Sequence, residues 1–204
     1  MKDVDQALAD IAAIRQQVAM STLFRGLGPA ALGATGILAL GAAVVQLTIG
    51  TDSGADPFGY FALWIGTAGI ALAILATEIL RRRRKEPSSL ADAVLQNALL
   101  QFLPSGMTGA ALLIFSALYA PDSLWMLPGL WQILVALGIY AAARLLPGQT
   151  MIAAAWYFIA GFYVLLDASQ GRVLSPWHMG VPFLIGQSIM AAVTWRATEA
   201  LDGA

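Results

Sequence analysis

Six long apolar stretches, separated by short polar segments, dominate the hydrophobic pattern of this chain. Each is close to the length of about 20 residues that a helix needs to cross a bilayer. Backbone hydrogen bonds in hydrocarbon must be satisfied within the segment, so such stretches form helices rather than open strands. The predicted transmembrane helices cover approximately residues 28–49, 58–80, 104–120, 125–145, 149–167 and 177–198. The pattern therefore predicts an all-α, polytopic membrane protein.

Prolines occur near the starts of all six predicted helices, where a residue without an N–H is best tolerated. They are Pro29, Pro57, Pro104, Pro128, Pro147 and Pro176. Pro182 lies inside the sixth helix and predicts a kink or a later start. Ser89 and Asp92 have capping-box spacing, so we expect the third helix to begin near Ser89, below the membrane.

The cationic residues are distributed unequally between the two sides of the predicted membrane. Arg172 alone lies on one side, and the other ten lie on the opposite side. These ten are Lys2, Arg15, Arg25, Arg81, Arg82, Arg83, Arg84, Lys85, Arg144 and Arg196. Because cationic loops are retained in the cytoplasm, both termini are predicted to be cytoplasmic. Residues 28–201 then form a six-helix bundle of three hairpins.

Residues 1–25 form a separate predicted unit, a cytoplasmic amphipathic helix. Its apolar positions recur at three- and four-residue steps, along one face; they are Val4, Ala7, Ile11, Ile14 and Val18. The polar face is acidic toward its start, whereas helices that lie on lipid usually have a basic polar face. We therefore expect Val4, Ile11, Ile14 and Val18 to bind protein: a second copy in a homodimer, the chain's own loops such as 89–101, or a cytoplasmic partner.

Composition agrees with a lipid-facing exterior and excludes several classes of function. Charged residues make up 11% of the chain and hydrophobic residues 59%, whereas a soluble domain has about a quarter charged residues. The absence of cysteine excludes disulfides, thiolate metal sites and cysteine nucleophiles. The run 81–85 is interpreted as a topology anchor that attracts anionic lipid. It lacks the interleaved aromatic residues of a nucleic-acid site, so no nucleic acid is expected as a partner.

Polar side chains within the predicted spans are the best indicators of a site. Gln132 and Gln187 are either interhelical hydrogen-bonding groups or the lining of a small cavity around a ligand head group, which Tyr140 and Tyr163 would join. Glu78, near a cytoplasmic helix end, is expected to pair with Arg81 or Arg82.

Small residues recur at four-residue steps in the first two spans. The two series are Ala31, Thr35, Ala39 and Ala43, and Gly69, Ala73 and Thr77. Such spacing lets helix backbones approach closely. We expect the two series to pack within the first hairpin, with a homodimer face as the alternative.

His178 is the single histidine. A haem or metal site generally needs further ligands, which Met126 or Asp167 would supply if the loops converged. The favoured interpretation is an interfacial histidine, with no metal and no cofactor.

The junction Ser21-Thr22-Leu23-Phe24-Arg25-Gly26-Leu27 links the amphipathic segment to a glycine-rich first span. In these features the chain resembles a family of small bacterial inner-membrane proteins of unassigned activity, some of them encoded beside winged-helix regulators. The resemblance implies a location in the bacterial inner membrane and a cytoplasmic helix that engages a regulatory partner.

Three functions remain after these observations. The leading interpretation is a non-enzymatic sensor, scaffold or accessory subunit that acts through protein contacts. The second is binding or transport of a small apolar or lipid-like molecule in the bundle. The third is a haem or metal redox subunit that uses His178. Enzymatic catalysis ranks last, because no nucleophile, acid–base pair or phosphate loop is apparent.

Overall fold

The described part of the chain folds almost entirely into α-helices. The computed structural model describes Gln6 and residues 28–49, 57–85, 89–146, 148–171 and 174–202, and these contain no strands. The helices are α1 (Pro29–Ile49), α2 (Pro57–Lys85), α3 (Ser89–Tyr119), α4 (Leu127–Ala141), α5 (Thr150–Ser169) and α6 (Trp177–Asp202). Two 3-10 helices, Pro121–Met126 and Ala143–Leu145, flank α4. The predicted all-α class is confirmed, whereas Val4, Ile11, Ile14 and Val18 lie outside the described residues.

Several of these helices are apolar and long enough to cross a membrane. The five segments that meet both conditions among the described residues are Pro29–Ile49, Pro57–Arg82, Gln96–Tyr119, Pro121–Ala141 and Thr150–Ser169. The sixth predicted span corresponds to α6, which has sufficient length but carries His178, Gln187 and Ser188 within its apolar sequence. The apolar helices together indicate a membrane protein.

One helix boundary differs from that predicted from the prolines. Pro104 lies inside α3, and α6 begins at Trp177 and continues through Pro182. The prediction that Pro104 marks a helix start is therefore wrong, whereas the expected start at Ser89 is confirmed. An internal proline removes one backbone hydrogen bond, a loss that membrane helices tolerate when neighbouring groups compensate. The strong helix formers before Pro104, such as Leu99 and Leu100, continue the helix to that point.

The most extensive helix packing joins α1 to α6 and α4 to α5. α2 lies against α1, α3 lies against α4, and α5 contacts α6. Consecutive helices thus touch in pairs, but the largest interfaces join helices that belong to different predicted hairpins. The bundle is held together mainly by these α1–α6 and α4–α5 interfaces.

Glycines allow the closest of these approaches. A Cβ atom placed on Gly129 would lie 2.6 Å from the Gly161 carbonyl oxygen, and one on Gly161 would lie 2.7 Å from the Gly129 carbonyl oxygen. A Cβ on Gly180 of α6 would lie 2.6 Å from the Cβ of Ala43 in α1. Backbones at such distances leave no room for a larger residue, so glycine sets the helix separation at both interfaces.

The small residues of α1 do not pack against α2 as predicted. Ala31, Thr35, Ala39 and Ala43 are buried, and the contacts of Gly36 and Gly180 place this face of α1 against α6. In contrast, Gly69, Ala73 and Thr77 of α2 are all exposed. Packing within the first hairpin is therefore wrong for these two series. The four-residue spacing identifies a face that permits close approach but does not select its partner.

Candidate functional site

Buried polar side chains concentrate at the end of the bundle where α5 ends and α6 begins, which we call the Asp167 end. Gln132 of α4 is fully buried there, at 0% exposure. Its Nε2 atom donates to the carbonyl oxygen of His178 at 2.7 Å and to that of Pro128 at 3.1 Å. Gln132 thus links α4 to the first turn of α6, which supports its interpretation as an interhelical hydrogen-bonding residue.

His178 and Asp167 form a second link, between α6 and α5. The Nε2 atom of His178 lies 2.8 Å from Oδ2 of Asp167. The histidine side chain is 9% exposed and the aspartate side chain 53% exposed, so the pair runs from the interior to the surface. Asp167 was expected to meet His178 only if the loops converged, and these two side chains do meet.

Two further hydrogen bonds connect α2 to the Asp167 end. Trp64 donates from Nε1 to Oε1 of the fully buried Gln46 in α1 at 2.8 Å. Tyr60 donates from its hydroxyl to the carbonyl oxygen of Ser175 at 3.0 Å. Gln46 was not among the residues predicted from the sequence, although an amide between Val45 and Leu47 near the end of an apolar span is a usable signal for a buried hydrogen-bonding residue.

Four buried polar atoms have no hydrogen-bond partner within the described residues. They are Nε2 of Gln46, Oε1 of Gln132, Nδ1 of His178 and Oε1 of Gln187. An unpaired buried polar atom costs about 1–3 kcal/mol, and in native proteins it usually indicates an ordered water or a ligand. The first three belong to side chains whose other polar atoms are bonded at the Asp167 end.

Gln187 of α6 lies away from this cluster, on the side of α6 that contacts α1 and α5. Its Nε2 atom is 3.4 Å from the hydroxyl of Tyr157, whose ring lies against Gly186. Its Cβ is 3.1 Å from the position of a Cβ on Gly36. This region is tightly packed, with little room beside the glutamine.

The four residues predicted to hold a ligand are not brought together. Gln132 and Gln187 bond to different partners, as described above. Tyr140 and Tyr163 expose 68% and 66% of their surface and lie on the outside of the bundle. A site formed by all four residues therefore remains a prediction without geometric support.

The ion pair predicted for Glu78 is present. Arg82 Nε lies 2.5 Å from Glu78 Oε1, one turn apart near the end of α2. The same groups lie beside Gly28, where α1 begins. Their partial exposure supports an interfacial role.

The contacts that the described side chains make at the Asp167 end are hydrogen bonds. Among the described residues, no three His, Asp or Glu side chains cluster as metal ligands. His178 and Asp167 supply only two donors, fewer than the three or four protein ligands of typical zinc sites. Comparisons of the whole chain with protein-family models, curated proteins and solved structures find no significant match.

Proposed function

We propose that this protein is a non-enzymatic integral membrane module that acts through contacts with other proteins, the simplest of which is a second copy of itself. The observation that carries the proposal is a row of small residues on the exposed surface of α2. Its members are Ala62, Gly66, Gly69, Ala73 and Thr77, and all are exposed. We call this set the α2 row.

Within the described part of the chain, the α2 row has no neighbour. No heavy atom of the described residues lies within 4 Å of a Cβ placed on Gly66 or on Gly69. In the 18-residue apolar stretch of α2, only 6% of the residues are buried. In the corresponding stretch of α1, 39% of the residues are buried. The small-residue face of α1 is filled by α6, whereas the α2 row is a second surface of the same kind that no described helix of the chain covers.

Small residues on a lipid-facing surface favour a helix as the partner. Lipid chains are as apolar as leucine side chains, so membrane helices associate through close packing rather than through the hydrophobic effect. Large residues flank the α2 row, including Ile65, Ile70 and Leu72, all exposed. The row therefore forms a shallow groove into which a second helix fits.

The ends of α2 and α3 support a cytoplasmic contact surface as well. The two helices have 29 and 31 residues, which corresponds to about 43 and 46 Å, whereas the hydrocarbon core is about 30 Å thick. The excess length falls where α2 ends and α3 begins, since Arg81, Arg84, Gln96 and Asn97 are exposed there. In the proposed topology, this projection lies in the cytoplasm and receives the amphipathic segment 1–25, whose polar face is acidic toward its start.

The topology in this proposal follows the charge distribution. Both termini are cytoplasmic, the helices form three hairpins, and the membrane is the bacterial inner membrane. The placement of ten cations against one is the support for the orientation. The inner-membrane location rests on the resemblance of the first quarter of the chain.

Cysteine cross-linking in native membranes tests the α2 contact, because the chain has no cysteine of its own. Ala73→Cys places a thiol in the α2 row, and mild oxidation should then give a disulfide-linked dimer. Ala68→Cys is the matched control, since Ala68 is also an exposed alanine of α2 but lies about 140° away from Ala73 around the helix. Equal cross-linking of both variants, or none of either, would contradict the proposal.

A disruptive substitution complements the cross-linking. Gly69→Ile fills open space within the monomer, so it should leave the fold intact while it blocks close approach of another helix. The dimer fraction in detergent or nanodiscs should fall at least several-fold. A dimer that survives Gly69→Ile would move the contact to another surface.

The alternatives have weaker support. A ligand held by Gln132, Gln187 and the tyrosines lacks a common location for these residues, and the surroundings of Gln187 are tightly packed. A haem subunit that uses His178 predicts visible absorption of the purified protein, which a spectrum tests directly.

A further inference from the structure

The hydrogen bond between His178 and Asp167 determines the state of the second imidazole nitrogen. An ionised carboxylate only accepts hydrogen bonds, so the hydrogen between these residues belongs to His178 Nε2. In the neutral imidazole, Nδ1 then carries a lone pair and accepts hydrogen bonds. This atom is buried and has no partner among the described residues.

Gln132 presents a second free acceptor at the same junction of α4 and α6. Its amide orientation is determined because the atom near the carbonyl oxygens of Pro128 and His178 must be the NH2 nitrogen. Oε1 is therefore the free atom, and it is buried. The Gln132 amide is bonded to the backbone carbonyl of the same residue, His178.

We infer that the α4–α6 junction is a binding site for a hydroxyl group that donates its hydrogen to His178 Nδ1. Free acceptors require a donor. Met179 and Leu127, chain neighbours of His178 and Pro128, belong to the buried core cluster. Such surroundings disfavour a charged donor, because burial of an ammonium ion costs far more than burial of a hydroxyl.

Two sources supply a neutral hydroxyl at this position. One is a water molecule that enters past the half-exposed Asp167. The other is the hydroxyl of a lipid headgroup at the membrane surface. Asp167 acts as a positioning residue, since it holds the hydrogen on Nε2 and thereby keeps Nδ1 as an acceptor. The inference does not depend on the α2 contact.

Nitrogen-15 NMR of the single histidine tests the inference without background signals. The full chain, purified through a tag that contains no histidine, is labelled at histidine. It is then reconstituted in phosphatidylcholine vesicles, whose headgroups carry no hydroxyl, and separately in phosphatidylglycerol vesicles, whose headgroups do. We expect hydrogen on Nε2, an unprotonated Nδ1, and a Nδ1 shift typical of an accepted hydrogen bond.

Magnetisation transfer to Nδ1 distinguishes the two sources. Transfer from water in phosphatidylcholine vesicles would assign the hydroxyl to water, and transfer that requires phosphatidylglycerol would assign it to the headgroup. Either result supports the site. Nδ1 that accepts no hydrogen bond in both vesicles, or Nδ1 that carries the hydrogen, would overturn the inference.

Asp167→Ala tests the positioning role of the aspartate. Loss of the acceptor should let both tautomers appear and should weaken the transfer to Nδ1. Asp122→Ala is the control, because Asp122 is an exposed acid in the 3-10 helix that precedes α4. An unchanged tautomer in Asp167→Ala would refute the positioning role, and the spectrum of Asp122→Ala should match that of the unmodified protein.

Discussion

Replacement of Gly161 by alanine should separate α4 from α5 and destabilise the bundle. A Cβ on Gly161 would lie 2.7 Å from the Gly129 carbonyl oxygen and 2.7 Å from Ile133 Cγ1. Carbon atoms in van der Waals contact are about 3.5–4.0 Å apart, so the contact with Ile133 falls short by roughly 0.8–1.3 Å. A side-chain rotation relieves the contact with Ile133, but the carbonyl of Gly129 moves only with α4. The overpacking should cost about 1–3 kcal/mol.

A matched control isolates this cost from helix propensity. Alanine in place of a glycine inside a helix stabilises it by about 0.5–1 kcal/mol. Gly41 lies inside α1, and no atom of the described residues lies within 4 Å of a Cβ placed there. Gly41→Ala therefore has the propensity gain alone, whereas Gly161→Ala has both terms. The difference in unfolding free energy between the two variants should equal the overpacking cost, about 1–3 kcal/mol.

Reversible unfolding by SDS in mixed micelles, followed by circular dichroism, measures both variants. Gly161→Ala should unfold at a lower SDS fraction than Gly41→Ala, and Gly41→Ala should be at least as stable as the unmodified protein. Equal stability of the two variants would refute the close α4–α5 contact. A Gly41→Ala variant that is less stable than the unmodified protein would refute the assignment of open space to that face of α1.

Three further predictions concern other contacts. Gln132→Leu removes the amide link between α4 and α6 and should lower the unfolding free energy by about 0.6–2 kcal/mol in the same SDS titration. Trp64→Phe leaves Oε1 of Gln46 without its donor and should cost about 1–3 kcal/mol, whereas Trp195→Phe, at an exposed position, should have little effect. Deletion of residues 1–25 should leave membrane insertion intact and abolish partner capture or self-association; an unchanged pull-down profile and oligomeric state would argue against that segment as a contact.

The sequence alone determined the helical content and the approximate spans. Long apolar segments in hydrocarbon can satisfy their backbone groups only as helices, or in closed barrels, which need shorter alternating strands. The predicted and observed helices agree closely at both ends of α1 and at the start of α6. They disagree at Pro104, because the cost of an internal proline, about 3 kcal/mol, is offset in a long membrane helix when neighbouring groups satisfy the freed backbone atoms.

The sequence also identified individual polar residues without their partners. Gln132 was interpreted as an interhelical hydrogen-bonding residue, and it bonds across to α6. Asp167 and His178 were named as groups that would meet only if their loops converged. The hydrogen bond between Gln46 and Trp64 could not be predicted from the sequence. It depends on how α1 and α2 are rotated relative to each other about their axes.

Only the tertiary structure decided which helices share an interface. The four-residue spacing of small residues in α1 and α2 showed that both helices have a face suited to close approach. It did not distinguish α6 from α2 as the partner of α1, since any helix with a complementary glycine or alanine face gains the same van der Waals contact. In hydrocarbon, apolar side chains gain almost nothing by burial against protein rather than lipid, so packing geometry, rather than hydrophobicity, assigns α1 to α6 and leaves the face of α2 open.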